Sequence, residues 1–230
     1  MKLDVIICAR ANSKGIPFKN KRDFNGKTLV HILIEKVNKS KYVKNIFVSS
    51  EDQTILDISK DLGAISYGLR PKKLSRDNVR QVDVIKQLIS VIESNNYKLS
   101  KNLILLQTTS PFIEKKDIES AIKKHLVRKN KALLSVSKED INPTALYIST
   151  KDEIQKLYIN NITNQRQKQP KLFLANGAIR IFNLKYFKKY NKLLPNKNLL
   201  LYEIPKERSI NLDTMKDWDN AINIIKEGKA

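Results

Sequence analysis

Arg10, Lys14 and Lys19 lie close together in the segment RANSKGIPFKN (10–20), with Gly15 among them. A polyphosphate needs this kind of setting. Glycine lets the backbone approach, N–H groups such as those around Gly15 point at the anion, and cations offset the accumulating charge. Pro17 stiffens the loop by fixing its own φ. The segment is no P-loop, because GxxxxGK[ST] is absent, and there is no GxGxxG dinucleotide fingerprint. Spacing alone leaves open a second reading, a solvated lysine-rich surface loop. Basic clusters recur throughout this chain. Other familiar chemistries are missing. His31 and His125 sit in helical patterns and are assigned no catalytic role. No Ser-His-Asp order and no Cys/His metal spacing is present.

The elements that must position the loop are legible. Residues 3–9 (LDVIICA) form a buried-strand pattern immediately before it. Ligands of open α/β sheets bind where strands end at their carboxyl side. Leu29, Ile32, Leu33 and Val37 recur at helical spacing. Strands are expected at 45–50, 64–67, 102–106 and 132–136. Helices are expected over 52–62, ending at Gly63, around Val82–Ile85–Leu88–Ile89–Ile92, and over 117–126. This alternation predicts a mainly parallel sheet with helices on both faces. Beyond it the pattern is less regular. Residues 145–149 and 155–159 are read as a hairpin, 176–182 and 198–204 as strands. A last helix begins near Thr214 and carries Trp218, Ala221, Ile222 and Ile225 on one face. Residues 140–175 are the best candidate for an excursion from the main sheet.

Composition bounds the function classes. With 230 residues, 41% hydrophobic and 29% charged, the chain can build one α/β domain with a substantial core. No apolar run approaches the roughly 20 residues of a membrane span. The opening MKLDVIICAR is not read as a secretory signal. Cys8 is the single cysteine. It excludes an internal disulfide, argues for a reducing compartment, the cytoplasm, and is read as a core residue. The net charge of +21 raises nucleic-acid binding. Against it, the lysines are spread along the chain and no aromatic-plus-basic motif of the common RNA-binding modules is present. Small anionic substrates fit the same field.

The segment IICARANSKGIPFKN (6–20) resembles the opening signature of the acylneuraminate cytidylyltransferases, the CMP-sialic acid synthetase family. Four further segments fall in that family's order: LRPKKLSRDN (69–78), LLQTTSPF (105–112), RQKQPKLFLANGAIRIF (166–182) and INLDTMKDW (210–218). The resemblance implies a Rossmann-like nucleotidyltransferase fold, a magnesium ion (Mg2+) and a homodimer completed by residues 140–175. It implies CMP transfer from CTP to a sialic-acid-like nonulosonic acid, with release of pyrophosphate. By resemblance Arg10, Lys14 and Lys19 hold the triphosphate, with Asn12, Ser13 and Gly15 in the same loop. Asn20, Arg70 and the stretch from Asp77 to Gln81 recognise the cytidine. Gln107, Thr109, Arg166, Gln167 and Asn176 meet the sugar. Asp213 binds magnesium, and Arg10, Lys19 and Asp213 carry catalysis. Taken singly, Arg70 before Pro71 also reads as a surface-loop residue, and Asn176-Gly177 as a plain turn.

Three departures from the family pattern matter. Asn211-Leu212-Asp213-Thr214 stands where the family usually has Asp-x-Asp-Thr. In an extended segment Asn211 and Asp213 point the same way and can share one ion, with one negative charge fewer. Ala145 stands where a lysine is common. Arg180 stands where the NGAI strand usually continues with tyrosine. On a regular strand Arg180 would share a face with Ala178, and it is expected to meet the sugar acid. An ion pair with an acidic neighbour is the other reading. Three rival functions remain: transfer to another keto-sugar acid, a catalytically impaired nucleotide-binding relative, and a nucleic-acid-binding protein.

Overall fold

Strands with near-continuous apolar runs belong where the sheet is covered on both sides. In β1 (Leu3–Cys8) and β3 (Asn102–Leu106) nearly every residue is buried. The computed structural model describes residues 1–129, 131–150, 153–156, 167 and 170–228. With β2 (Val43–Ser49), β4 (Leu133–Glu139), β7 (Leu172–Asn183) and β8 (Leu200–Glu203), these strands form one sheet in the order β2-β1-β3-β7-β4-β8. Five run the same way and β7 alone is reversed. A separate antiparallel pair, β5 (Tyr147–Thr150) and β6 (Glu153–Lys156), takes the place expected for a hairpin.

Helices α1 (Leu29–Asn38), α2 (Gln53–Asp61) and α4 (Lys115–Val127) cover one face, where Val30, Ile34, Ile55 and Ile122 pack with Val5, Ile7 and Ile104. Helices α3 (Gln81–Ser94) and α5 (Leu184–Tyr190) cover the other, where Ile85, Ile89 and Phe187 meet Ile6, Leu103 and Phe182. Local signals set the helix ends. Thr28 caps α1 by accepting from the His31 N–H at 3.3 Å, and Asp52 caps α2 by accepting from Ile55 at 3.1 Å. The last helix, α6 (Met215–Lys226), opens on a reciprocal cap between Thr214 and Asp217. It packs Trp218 edge-on against Phe24, ring centroids 4.9 Å apart, over a small core with Ile16 and Leu212.

The chain runs from β1 through α1 to β2 on one side, then returns to β3 on the other side of β1. Strand order therefore reverses between β1 and β3. That is where open α/β sheets leave a crevice for ligands. The loop after β1 and the turn after β3 both open into it.

Four expectations need correction. Residues 64–67 make one parallel bridge, Ile65 to Phe47, and no strand, because the segment is too short to propagate a ladder. Helix α5 was not expected; its signals are Asn183, which caps Tyr186 at 2.9 Å, and Asn191 in the left-handed region. Strand β7 begins at Leu172, earlier than the expected 176. It is also not regular. Leu134 pairs with Arg180 and Val136 with Ala175, so two steps on β4 (136 − 134) oppose five on β7 (180 − 175). The surplus bulges at Gly177, φ 74°. The bulge breaks the period of two. Ala178 and Ile179 both pack on the α1 side with Ile181, whereas Arg180 lies opposite Leu105 on the α3 side. Arg180 and Ala178 do not share a face.

No helix among the described residues is long and apolar enough to cross a membrane. His125 on α4 is fully buried; its Nδ1–H donates to the Lys131 carbonyl at 2.7 Å and its Nε2 has no partner. Burial pushes its pKa down. The folded state therefore holds a neutral imidazole that the unfolded chain protonates near pH 6.5. Stability contributed by this group is complete above that pH and is lost as pH falls below it, at a slope of at most about 1.4 kcal/mol per pH unit. Urea unfolding at pH 7.5, 6.5 and 5.5 should show a smaller loss on acidification in His125→Gln than in the parent. Equal losses in the two proteins would remove His125 as the cause.

Candidate active site

The crevice holds a cleft of about 290 Å³ lined by Arg10, Ser13, Lys19, Asn20, Arg70, Asp77, Gln81, Gln107 and Thr109, among others. Nine of the residues singled out from the sequence thus meet in one place, drawn from three separate stretches, 10–20, 70–81 and 107–109. Asn12, Lys14 and Gly15 are exposed on the same loop, outside the lining. Lys14 reaches it through Asp77.

The loop is held from below. Ile16 is fully buried in the α6 core beside Leu212. Gly15 presses on the 211–214 segment: a Cβ there would lie 1.9 Å from the Asp213 carbonyl oxygen. The glycine is needed for this close approach to protein backbone, in addition to the approach to phosphate expected from sequence. Lys19 is 8% exposed and donates to the Leu212 carbonyl at 2.7 Å, with the Asp213 carboxylate 3.7 Å away. Burial lowers its pKa, and Asp213 opposes the shift. Asn20 closes the loop from inside. It donates to the Arg10 carbonyl at 2.7 Å and accepts from Thr108 Oγ1 at 2.5 Å. Its amide binds β1's loop to the turn after β3.

Two carboxylates set the charge balance. Asp77 accepts from Arg10 at 2.5 Å and lies 3.3 Å from Lys14. The hydrogen bond from Arg10 holds its carboxyl below the ordinary carboxylate range. An acidic side chain is thus docked on two of the cations assigned to phosphate. Glu51 was not foreseen. It accepts from the Ala11 N–H at 2.8 Å and pairs with the buried Arg70, whose Nε donates to Ser75 at 3.0 Å. Arg70 is therefore fixed by an ion pair and not loose on the surface. The signal for Glu51 was its place directly after a strand and before a helix cap, in SSED (49–52). Cys8, read as core, lines the cleft floor, and burial pushes its thiol up to about 11. It stays protonated at neutral pH and is a poor nucleophile.

The residues expected to meet a sugar are divided. Thr109 Oγ1 lies 3.4 Å from Gln107 Oε1, and Arg180 donates to Gln81 Oε1 at 3.2 Å. No ion pair of Arg180 with a carboxylate occurs among the described residues. Asn176 is engaged within the β7 bulge: Oδ1 accepts from Ser135 at 2.5 Å and Nδ2 donates to Ser209 at 3.0 Å. Gln167 is exposed and lines a different pocket with Lys138, Pro143 and Leu172. Arg166 lies outside the described residues. Asn211 donates to Asp213 Oδ2 at 2.5 Å, so the two side chains do point the same way.

Gly15→Ala should force the 10–20 loop and the 211–214 segment apart. Over-packing of this kind costs roughly 1–3 kcal/mol. A lower midpoint in thermal denaturation is expected. A parental midpoint would show that the contact yields freely.

Residues 5–212 match the family model described as cytidylyltransferase. The chain is 29% identical over 227 residues to the N-acylneuraminate cytidylyltransferase of Streptococcus agalactiae, covering 96% of this chain but 53% of that protein, about half its length. It is 26% identical over 223 residues to the pseudaminic acid cytidylyltransferase of Campylobacter jejuni, covering 96% and 95% of the two chains. It is 28% identical over 221 residues to the CMP-N,N'-diacetyllegionaminic acid synthase of Legionella pneumophila, covering 95% and 94%. Among solved structures, a CMP:2-keto-3-deoxy-manno-octonic acid synthetase complexed with CTP has the same fold, with a TM-score of 0.73, 14% identity and coverage of 99% and 100%. The match runs through the loop and the turn that line the cleft and on through β7, and the chain belongs to the cytidylyltransferase family.

Proposed function

We propose that this chain joins CMP from CTP to a sialic-acid-like nonulosonic acid. The single observation that carries this reading is the cleft itself. It is lined both by cations, Arg10, Lys19, Arg70 and Arg76, and by neutral polar groups, Gln81, Gln107 and Thr109. The cations suit a triphosphate and the neutral groups a hydroxyl-rich sugar. The named relatives act on neuraminic, pseudaminic and legionaminic acids.

In the reaction the anomeric hydroxyl oxygen attacks the α-phosphorus of CTP. A new P–O bond forms, the bond to the β-phosphate oxygen breaks, the hydroxyl proton is released and pyrophosphate leaves. Charge accumulates on the departing phosphates, so catalysis rests on positioning and charge neutralisation. Arg10 and Lys19 supply that neutralisation, with Lys14, once phosphate has displaced Asp77 from Arg10 and Lys14. Asn20 and Arg70 shape the nucleotide side, Gln107 and Thr109 face the sugar, and Gln81, expected by resemblance to recognise the cytidine, is read as standing between the two, engaged by Arg180.

The residues fit a magnesium ion. Asp213 offers an exposed carboxylate beside Asn211. Among the described residues no three acidic, His or Cys side chains gather to hold a metal by themselves. That suits magnesium, which often takes one or two carboxylates and draws its other ligands from phosphates and water. When bound, the ion would neutralise phosphate charge. We read the chain as cytoplasmic, where CTP is made. We also read it as a homodimer through the excursion, where Ile141, Tyr147 and Leu174 are 49%, 60% and 61% exposed.

Pyrophosphate release should be measured with CTP, magnesium and a panel of sugar acids: neuraminic, legionaminic, pseudaminic and 2-keto-3-deoxy-manno-octonic. Turnover with a nine-carbon acid is expected. Turnover with the eight-carbon acid alone, or with none, sinks the reading. Asp213→Ala should lower the rate by roughly a hundredfold or more. Asn211→Asp should reach half-maximal rate at less magnesium, since it restores a charge. Lys19→Ala should cost roughly 1.5–3 kcal/mol in kcat/KM for CTP.

A further inference from the structure

We propose that Arg180 receives the carboxylate of the acceptor sugar acid and so fixes which end of the acceptor faces the nucleotide. The inference rests on the CTP-and-sugar-acid reading above and goes beyond it in naming the residue and the group it takes.

The argument begins with β7. Arg180 pairs with Leu105 of β3, which places its side chain on the α3 side of the sheet, toward Gln81 at the start of α3. It is partly buried, and its hydrogen bond goes to a neutral amide. A guanidinium carries five N–H donors and a full charge. Burying that charge is costly unless an anion meets it. No ion pair to a carboxylate supplies that anion among the described residues, and its pKa is lowered by burial alone. Other buried cations of the chain are treated differently: Arg70 has Glu51, and Lys19 has Asp213.

The space beside it is kept open by Gly177. A Cβ at that position would lie 3.5 Å from Arg180 Nη2 and 3.4 Å from Gln107 Oε1, so any side chain would fill the gap between them. The φ of 74° makes glycine the residue suited to this turn. Gln81, Gln107 and Thr109 all line the cleft. Arg180 therefore stands directly behind Gln81 and near Gln107 of that cleft, a cation whose neighbours there are neutral amides. Phosphates are drawn to the other pole, at Arg10, Lys14 and Lys19. The remaining anion of the two substrates is the acceptor's carboxylate, whose planar pair of oxygens matches the guanidinium fork.

The test uses the full chain, CTP, magnesium and the preferred acid of the panel, beside its methyl ester. Arg180→Met keeps the apolar stem and removes the charge; Arg180→Lys keeps the charge and removes the fork. Thermal melts and CTP binding check that both variants fold. Arg180→Met should raise KM for the acid at least tenfold while KM for CTP and inhibition by pyrophosphate stay within twofold. Arg180→Lys should recover part of the loss. The parent should discriminate strongly against the ester, and Arg180→Met should not. An unchanged KM for the acid, or unchanged discrimination against the ester, overturns the assignment while leaving the enzyme's function in place. A raised inhibition constant for pyrophosphate also overturns it, because Arg180 would then be a phosphate ligand. A parent enzyme that binds CTP but neither binds nor turns over any acid overturns the function and this assignment together.

Discussion

Both backbone polar groups of Leu212 are committed to holding the cleft together. Its N–H donates to the Thr109 carbonyl at 2.8 Å, and its carbonyl accepts from Lys19 at 2.7 Å. The side chain between them is fully buried with Ile16 and Trp218. One residue near the end of the fold thus ties the loop after β1 to the turn after β3. A buried backbone group without a partner is costly, so these bonds are not optional. Gly15 adds the steric half of the same constraint by lying against the neighbouring carbonyl. The proposed metal-binding carboxylate and the proposed phosphate-binding cation are therefore held in one small, rigid assembly.

Charge is distributed around that assembly in a graded way. The net charge of +21 is mostly solvated lysine, screened and weakly directed. Inside the cleft Arg10, Lys19 and Arg70 each lie beside a carboxylate. Glu51 fixes Arg70 and, through the Ala11 N–H, the start of the loop. Asp77 pairs with Arg10 and Lys14 nearer the surface, 2.5 Å and 3.3 Å away. The buried pair is structural, since breaking it strands a charge. The exposed pairs are weak and exchange readily for a stronger anion. On the proposed reading a triphosphate displaces Asp77 without disturbing the scaffold that Arg70 and Asn20 maintain.

The reversed strand decides where Arg180 lies. A regular β7 would put Ala178 and Arg180 on one face. The bulge at 176–179 is stabilised by Asn176, Ser135 and Ser209, and it turns Ala178 into the core while Arg180 reaches toward Gln81. Asn176 thereby does architectural work that a bare Asn-Gly dipeptide only hints at.

The sequence by itself determined the alternation of strands and helices, the loop after β1 and the segments that reach the cleft. These follow from periodicity, capping residues and short-range chemistry, all properties of neighbours in the chain. It also pointed to Asn211 and Asp213 lying side by side, which two-residue spacing in an extended segment dictates. Tertiary structure decided the rest, because the deciding contacts join residues far apart in sequence. Gly15's need for space comes from Asp213, Arg70's burial from Glu51, and Asn20's role from Thr108. No local pattern encodes such partners. Nor could period-two counting locate Arg180, since a bulge is defined only by the strand opposite.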